Sequence, residues 1–185
     1  MLIQGSNITI KLVDASDAQA LLALHMKNKD FFQAFSTTRD ERFYTYQGQV
    51  DRILNTMESQ KDSKRYLFLI HSRPTGELIG EVMLFQVVRE NLESCGIGYT
   101  LDQDQNGKGY MTEAVKLVVN YAFTELKLHR IEAGVMPHNT GSIKVMQKAG
   151  FTQEGLARKN VNINGRWEDH LMFAMLEEDM IEQES

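Results

Sequence analysis

Two glycines one residue apart, Gly107 and Gly109, sit where one hydrophobic pattern gives way to another. Before them, Cys95, Ile97, Tyr99 and Leu101 alternate with small or polar residues, the period of a half-buried strand. Directly after them, Met111, Ala114, Val115, Val118 and Ala122 form one apolar stripe of a helix running from about Tyr110 to Leu126. A strand, a glycine-containing loop and a helix in immediate succession gather free backbone N–H groups and the positive end of a helix dipole at one spot. That is a site for an anion such as a phosphate, and the glycines let the backbone approach it closely. Two familiar phosphate loops do not fit. A P-loop needs Gly-Lys-Ser/Thr, whereas Lys108 precedes Gly109 here. A dinucleotide fingerprint needs a third glycine where Leu101 or Thr112 stands.

The flanking segments read as alternating layers. Ile8, Ile10 and Leu12 mark a strand over Asn7 to Val13, and Asp14 or Ser16 caps a helix carrying Ala18, Leu21, Leu22 and His25. An irregular aromatic stretch, Phe31 to Tyr46, leads into a helix from Tyr46 to Glu58. Strands follow over Tyr66 to His71, Leu78 to Val88 and Glu93 to Leu101, the first two joined by a turn at Arg73-Pro74-Thr75-Gly76. Gly96 and Gly98 on the third permit a bulge or close approach by a ligand. Beyond the long helix come a strand over Arg130 to Met136, a helix from near Asn139 to Ala149 stopped by Gly150, and a strand from Phe151 onward. Asn164-Gly165 predicts a hairpin turn returning through Trp167 to Leu176. The order predicts a mixed α/β architecture.

Composition narrows the function classes. At 185 residues there is room for one domain, residues 1–185, and Pro74 and Pro137 are the only prolines. Lys and Arg number 20 against 25 Asp and Glu, a net charge of −5. That balance excludes a dedicated nucleic-acid binder and suits a basic acceptor. One cysteine, Cys95, excludes an internal disulfide and predicts a reducing, cytoplasmic setting. Met1 to Ile10 lacks the pattern of a secretory signal, and no window has the roughly 20 apolar residues of a membrane span. The five histidines are scattered without metal-ligand spacing, so no metal site is expected.

The run Asp104-Gln105-Asn106-Gly107-Lys108-Gly109 resembles the pyrophosphate signature of the GCN5-related N-acetyltransferase superfamily, Gln/Arg-x-x-Gly-x-Gly/Ala, with Asp104 at the Gln/Arg position. Two further blocks are similar to its ribosomal-protein alanine N-acetyltransferase branch. One is Met136-Pro137-His138-Asn139-x-x-Ser142 before a helix ending Ala149-Gly150-Phe151. The other is Asn164-Gly165-x-Trp167-x-Asp169-His170. The resemblance spans most of the chain and is strongest from residue 80 to 176. It implies a twisted, mostly antiparallel sheet of about seven strands, flanked by about four helices, whose central strands splay apart to receive acetyl-CoA.

Carried onto this sequence, the resemblance assigns backbone groups of Tyr99, Thr100 and Leu101 to the pantetheine arm, which lies along them as a false strand. The pyrophosphate falls to the backbone of Asn106, Gly107, Lys108, Gly109, Tyr110, Met111 and Thr112. Asn139 is assigned to the pantetheine amide; its residue type is equally that of a plain helix cap. The implied reaction is direct acetyl transfer from thioester to amine in a ternary complex. A backbone N–H near Tyr99 would face the carbonyl oxygen, and Ser142 would serve the leaving thiolate unless it is only a helix-surface serine. For the base, Glu81, Glu93, Glu132 and Asp169 are candidates. Glu93 is preferred because it opens the strand expected to splay. His138 and His170 read better as turn-flanking and strand-packing residues, and Cys95 as a packed thiol. An α-amine, with a reference pKa of about 8, is roughly 10% neutral at pH 7, so an N-terminal acceptor asks less of a base than a lysine at about 10.4.

The resemblance also places Phe31, Phe32, Phe35 and Tyr44 on the acceptor groove, against the plainer reading of ordinary core. The implied acceptor is the N-terminus of a ribosomal protein. A small amine (a polyamine, amino acid or aminoglycoside) and a non-catalytic CoA-binding or ribosome-assembly role remain open, since one fold serves all of these. No direct nucleic-acid or membrane partner is expected, and the chain is expected to be a monomer or homodimer.

Overall fold

The computed structural model describes residues 1–184. Eight strands form one sheet: β1 (Leu2–Gln4), β2 (Ile8–Leu12), β3 (Tyr66–Ser72), β4 (Leu78–Val88), β5 (Ser94–Leu101), β6 (Arg130–Val135), β7 (Thr152–Ile163) and β8 (Arg166–Leu176). Six α-helices accompany them: α1 (Ala18–Lys27), α2 (Lys29–Gln33), α3 (Tyr46–Lys61), α4 (Tyr110–Thr124), α5 (Thr140–Ala149) and α6 (Glu177–Glu184). The spatial strand order is β1-β2-β3-β4-β5-β6-β8-β7. Every pairing is antiparallel except β5 with β6.

The strand β3 shows how sequence sets the layers. It reads as an unbroken apolar run because both its faces are covered. Tyr66, Phe68 and Ile70 join the larger core with the α4 residues Ala114, Val115 and Val118. Leu67 and Leu69 point the other way, into a smaller core with Leu21 of α1 and Ile53 of α3. The α4 stripe expected from its spacing, Met111, Ala114, Val115, Val118 and Ala122, is buried throughout.

The mixed, mostly antiparallel sheet expected from the sequence is present, with three additions. Leu2–Gln4 is an edge strand too short to leave a periodic signal, pairing with β2 from Leu2↔Lys11 to Gln4↔Thr9. Lys29–Gln33 is one short helix inside the aromatic stretch. The acidic tail winds into α6, where the Asp179 carboxylate accepts from the Leu176 N–H at 2.9 Å.

The parallel pair is the break that matters. β5 and β6 are in register only at Ser94↔Arg130, Cys95↔Ile131 and Gly96↔Glu132. From Ile97 onward they diverge, so β5 keeps β4 on one side and has no strand on the other. An unpaired strand edge in the middle of a sheet is a row of hydrogen-bonding groups awaiting a partner.

Candidate active site

A cavity of about 760 Å³ fills the opening between the diverging strands. Its walls come from the free part of β5 (Ile97–Leu101), from Ala133 to Met136 at the end of β6, and from the first turns of α4 and α5.

One end is built from backbone. Gly107 and Gly109 have φ of +78° and +82°, the left-handed region that a side chain rarely adopts, and a Cβ at either would meet only open space. Glycine is thus required here by conformation rather than by crowding. Gly109 caps α4, so the first N–H groups of that helix open toward the cavity. Asp104, where the family signature has Gln or Arg, lies 2.8 Å from Lys27 Nζ, which also meets Asp102 at 2.6 Å. The Lys108 ammonium bonds Gln105 Oε1 at 2.8 Å and does not line the cavity.

On the middle wall, Asn139 caps α5 by accepting from the Ser142 N–H at 3.2 Å, the plain capping role its residue type suggested. The Ser142 carbonyl accepts from the Tyr99 hydroxyl at 3.3 Å, which ties β5 to α5 across the opening. Burial pushes the Tyr99 phenol up to about 12, so it stays a neutral donor. Thr100 lines the cavity, while its hydroxyl is buried and, among the described residues, has no hydrogen-bond partner. The groups on this wall that fit a ligand carrying amides are the backbone N–H and C=O groups of the unpaired β5 edge.

The other end is built from side chains. Phe31, Phe32 and Phe35 line it from α2 and the following loop, with Arg39, Met83 and Glu81. Glu81 is 6% exposed. Its carboxylate accepts from both terminal nitrogens of Arg52, at 2.7 and 3.0 Å, and lies 3.5 Å from His25 Nε2. Burial alone would raise its pKa, but the charge of Arg52, with His25, holds it well below the usual carboxylate range. Ile163 and His170 complete the roof from the hairpin of β7 and β8. The hairpin tip is fastened to α2: Gln33 Nε2 donates to Asn164 Oδ1 at 2.7 Å, and Asn164 Nδ2 donates to the Gln33 carbonyl at 2.9 Å.

The residues expected from the sequence separate accordingly. Tyr99, Thr100, Leu101, Asn106, Gly107, Gly109, Tyr110, Met111, Thr112, Asn139 and Ser142 are brought together on the cavity, as are Phe31, Phe32 and Phe35. Tyr44 is not. Its ring packs edge-on to Phe43 at 5.2 Å and lies under Lys29 Nζ at 4.3 Å. Glu93 is not either. It precedes β5 at the end where the strands are still paired, 3.2 Å from Arg89, and its carbonyl accepts from the His129 and Arg130 N–H groups. Glu132 pairs with Arg130 at 2.7 Å, and Asp169 accepts from the Lys159 N–H at 2.8 Å. Of the four carboxylates weighed as a base, Glu81 alone reaches the cavity. Gly96 serves packing, not a ligand, since a Cβ there would fall 2.6 Å from the Phe85 ring. Cys95 is buried and its thiol is pushed up to about 12 by desolvation, which leaves no nucleophile.

Sequence reasoning missed Arg39, His138 and His170 as lining residues. His138 stacks at 5.9 Å on Phe35. His170 packs on its strand as expected but also faces the cavity, and its Nδ1 lies 3.2 Å from the Glu168 carbonyl. The alternation of β8 would have put His170 on the inner face, but only the topology shows that this face borders the opening.

A sheet opened between parallel neighbours, with a glycine-capped helix at the opening, is the architecture of an acetyltransferase, and the chain belongs to the GNAT acetyltransferase family, whose domain model matches residues 7–152. It is an N-acetyltransferase. It is 51% identical over 178 residues to the probable N-acetyltransferase YjcK of Bacillus subtilis (strain 168), covering 96% of this chain and 98% of that one. It is 31% identical over 172 residues to the [ribosomal protein uS5]-alanine N-acetyltransferase of Escherichia coli (strain K12), covering 93% and 89%. The ribosomal-protein-S5-alanine acetyltransferase structure from Vibrio fischeri superposes with a TM-score of 0.92 at 30% identity, over 97% of this chain and 98% of that one. Mycobacterium smegmatis RimJ in complex with CoA-disulfide gives 0.89 at 26%, over 94% and 83%.

Proposed function

We propose that residues 1–185 act as a single acetyltransferase domain that moves acetyl from acetyl-CoA to the α-amine of a protein N-terminus, with alanine of a ribosomal protein as the leading acceptor. The observation that carries this reading is the state of Glu81. Among the described residues it is the only carboxylate on the cavity wall, and Arg52 holds it ionised and engaged at both oxygens. Such a group is a poor proton acceptor. A lysine acceptor would need a strong dedicated base, whereas an α-amine needs about one pKa unit of help. The relatives that act on ribosomal-protein alanine support the same class.

In this reading the pantetheine arm lies along Ile97–Leu101, supplying the partner that β6 withholds. The diphosphate meets the N–H groups at the start of α4. The amine nitrogen attacks the thioester carbonyl, the oxygen gathers charge beside a backbone N–H near Tyr99, and the C–S bond breaks. The Ser142 hydroxyl, at the head of α5, faces the departing thiolate. For the proton shed by the amine, His170 is the suitable acceptor. Its ring is on the cavity wall with Nδ1 3.2 Å from the Glu168 carbonyl, and in the tautomer that donates there Nε2 is the atom able to take a proton.

The test is mass spectrometry of an acceptor panel incubated with acetyl-CoA: peptides beginning Ala, Ser and Met, N-blocked peptides containing lysine, and spermidine. One acetyl group on the free α-amine of the Ala peptide alone is the expected result. Acetylation of spermidine or blocked lysine in its place overturns the reading.

A further inference from the structure

The acceptor end of the cavity holds more positive than negative charge. Two guanidinium groups share the ring of Phe43, Arg39 at 4.8 Å and Arg52 at 5.5 Å from its centre. Arg52 is fully engaged: it grips Glu81 with two N–H groups and also meets Gln49 at 3.4 Å. Arg39 lines the same cavity, and among the described residues no carboxylate comes within 4 Å of it. The charged and titratable groups that act on it are Arg52, Glu81 and Tyr44. Glu81 is already spent on Arg52. Lys29, stacked 4.3 Å over the neighbouring Tyr44 ring, adds a further positive charge on that side. The Arg39 residue is exposed where it lines the cavity, and the neighbouring Arg52 charge repels its own. The arrangement therefore leaves, on the cavity wall, an exposed guanidinium with no carboxylate partner among the described residues.

A planar guanidinium with free N–H groups is matched by a carboxylate, which can take two parallel hydrogen bonds from it. We propose that Arg39 selects acceptors bearing a carboxylate close to the reacting amine, which for an N-terminal acceptor means Asp or Glu at the second or third position. This rests on the N-terminal reading above and sharpens it. The expectation from composition, that an acidic protein favours a cationic acceptor, is reversed locally, because two arginines outnumber the one carboxylate at this end. Glu81, neutralised by Arg52, adds no net attraction for the amine, so the charge that this end recognises on the acceptor is the carboxylate one or two residues beyond the reacting amine. An extended chain advances about 3.3 Å per residue, which keeps both groups within the acceptor end of one cavity.

The experiment compares kcat/KM for matched peptides beginning Ala-Asp, Ala-Glu, Ala-Asn, Ala-Gln and Ala-Lys, with their third-position counterparts, for the natural protein, Arg39→Gln and Arg39→Lys. Thermal melts confirm that each variant is folded. The natural protein is expected to prefer the acidic peptides over their amides by about tenfold, and lysine peptides to be poorest, with the preference shrinking as salt rises. Arg39→Gln should bring the acid-to-amide ratio close to one, chiefly through KM, and Arg39→Lys should retain part of it. Equal rates for acidic and amide peptides in the natural protein would overturn the proposal while leaving N-terminal acetylation intact. A preference that survives in Arg39→Gln would overturn the role of Arg39. Acetylation of spermidine with none of any peptide would remove both readings at once, and is distinguished by that absence of any peptide product.

Discussion

The two ends of the cleft are made of different material. The α4 end is shaped by backbone, and the residues that form it, from Asn106 to Thr112, are neighbours in sequence. At the other end the groups are side chains gathered from α2, the loop after it, β4 and the β7–β8 hairpin, with Arg52 of α3 behind Glu81, and they are tied by contacts such as Gln33 with Asn164, 131 positions apart. The first end depends on local conformation, and few changes keep it. The second depends on the whole fold bringing distant groups together, so its chemistry can change one side chain at a time. A family can hold one donor while changing its acceptor on this plan.

The largest effect that would sharpen this contrast is expected at Arg52. Arg52→Ala leaves Glu81 buried without its partner, at a cost of about 3–5 kcal/mol. Differential scanning calorimetry should show Tm lower by roughly 10 °C in a chain of this size. If acetyl-CoA affinity falls in parallel while the protein is folded, the two ends are not independent and the contrast breaks. Next, Ser142→Ala should lower kcat by on the order of 100-fold with little change in the KM for acetyl-CoA; an unchanged kcat would leave Ser142 as a helix-start residue only.

Smaller effects should sort to one end each. Gly109→Val forces a branched side chain to φ +82° at the head of α4. It should raise the acetyl-CoA KM about tenfold, since such strain is worth roughly 1–3 kcal/mol, while the acceptor KM holds. Asn164→Ala unfastens the hairpin tip from Gln33 and should raise the acceptor KM about threefold, as for the loss of one or two exposed hydrogen bonds, with the donor unaffected. The smallest signature is in pH. Glu81 is held below its ordinary value of about 4.3. Its contribution to stability is therefore complete above that value and is lost only as pH falls toward its depressed folded one. Melts of the natural protein and Glu81→Gln should differ by a constant amount from pH 5 to 8 and converge only in acid.

What could be read from the sequence divides along the same line. Gly107 and Gly109, the stripe of α4, the cap at Asn139 and the Asn164-Gly165 turn are local features. Local rules found them, and the turn has the positive φ at both residues, +51° and +82°, that its sequence demands. The resemblance puts Tyr44 on the groove with the rest of its aromatic stretch, yet its ring turns to Phe43 and Lys29 instead. Glu93 opens the right strand, but a strand has two ends and this one lies where β5 and β6 are still joined. Arg39 carries no pattern of its own, and the alternation that turns His170 inward does not say what lies beneath it. Both residues matter because a loop from the first quarter of the chain and a hairpin from the last meet over one opening, and no short-range rule encodes that meeting.

The unpaired stretch from Ile97 to Leu101 has a consequence for the solvent. Backbone amides without a protein partner must be hydrated, so the free enzyme holds a wet seam through the middle of its sheet. A ligand lying along that seam displaces ordered water from the strand edge and from the apolar wall of Ile97, Val135 and Met136 together. The heat capacity should fall on binding, and the amide hydrogens of that edge should exchange with deuterium freely before the ligand arrives and slowly after it.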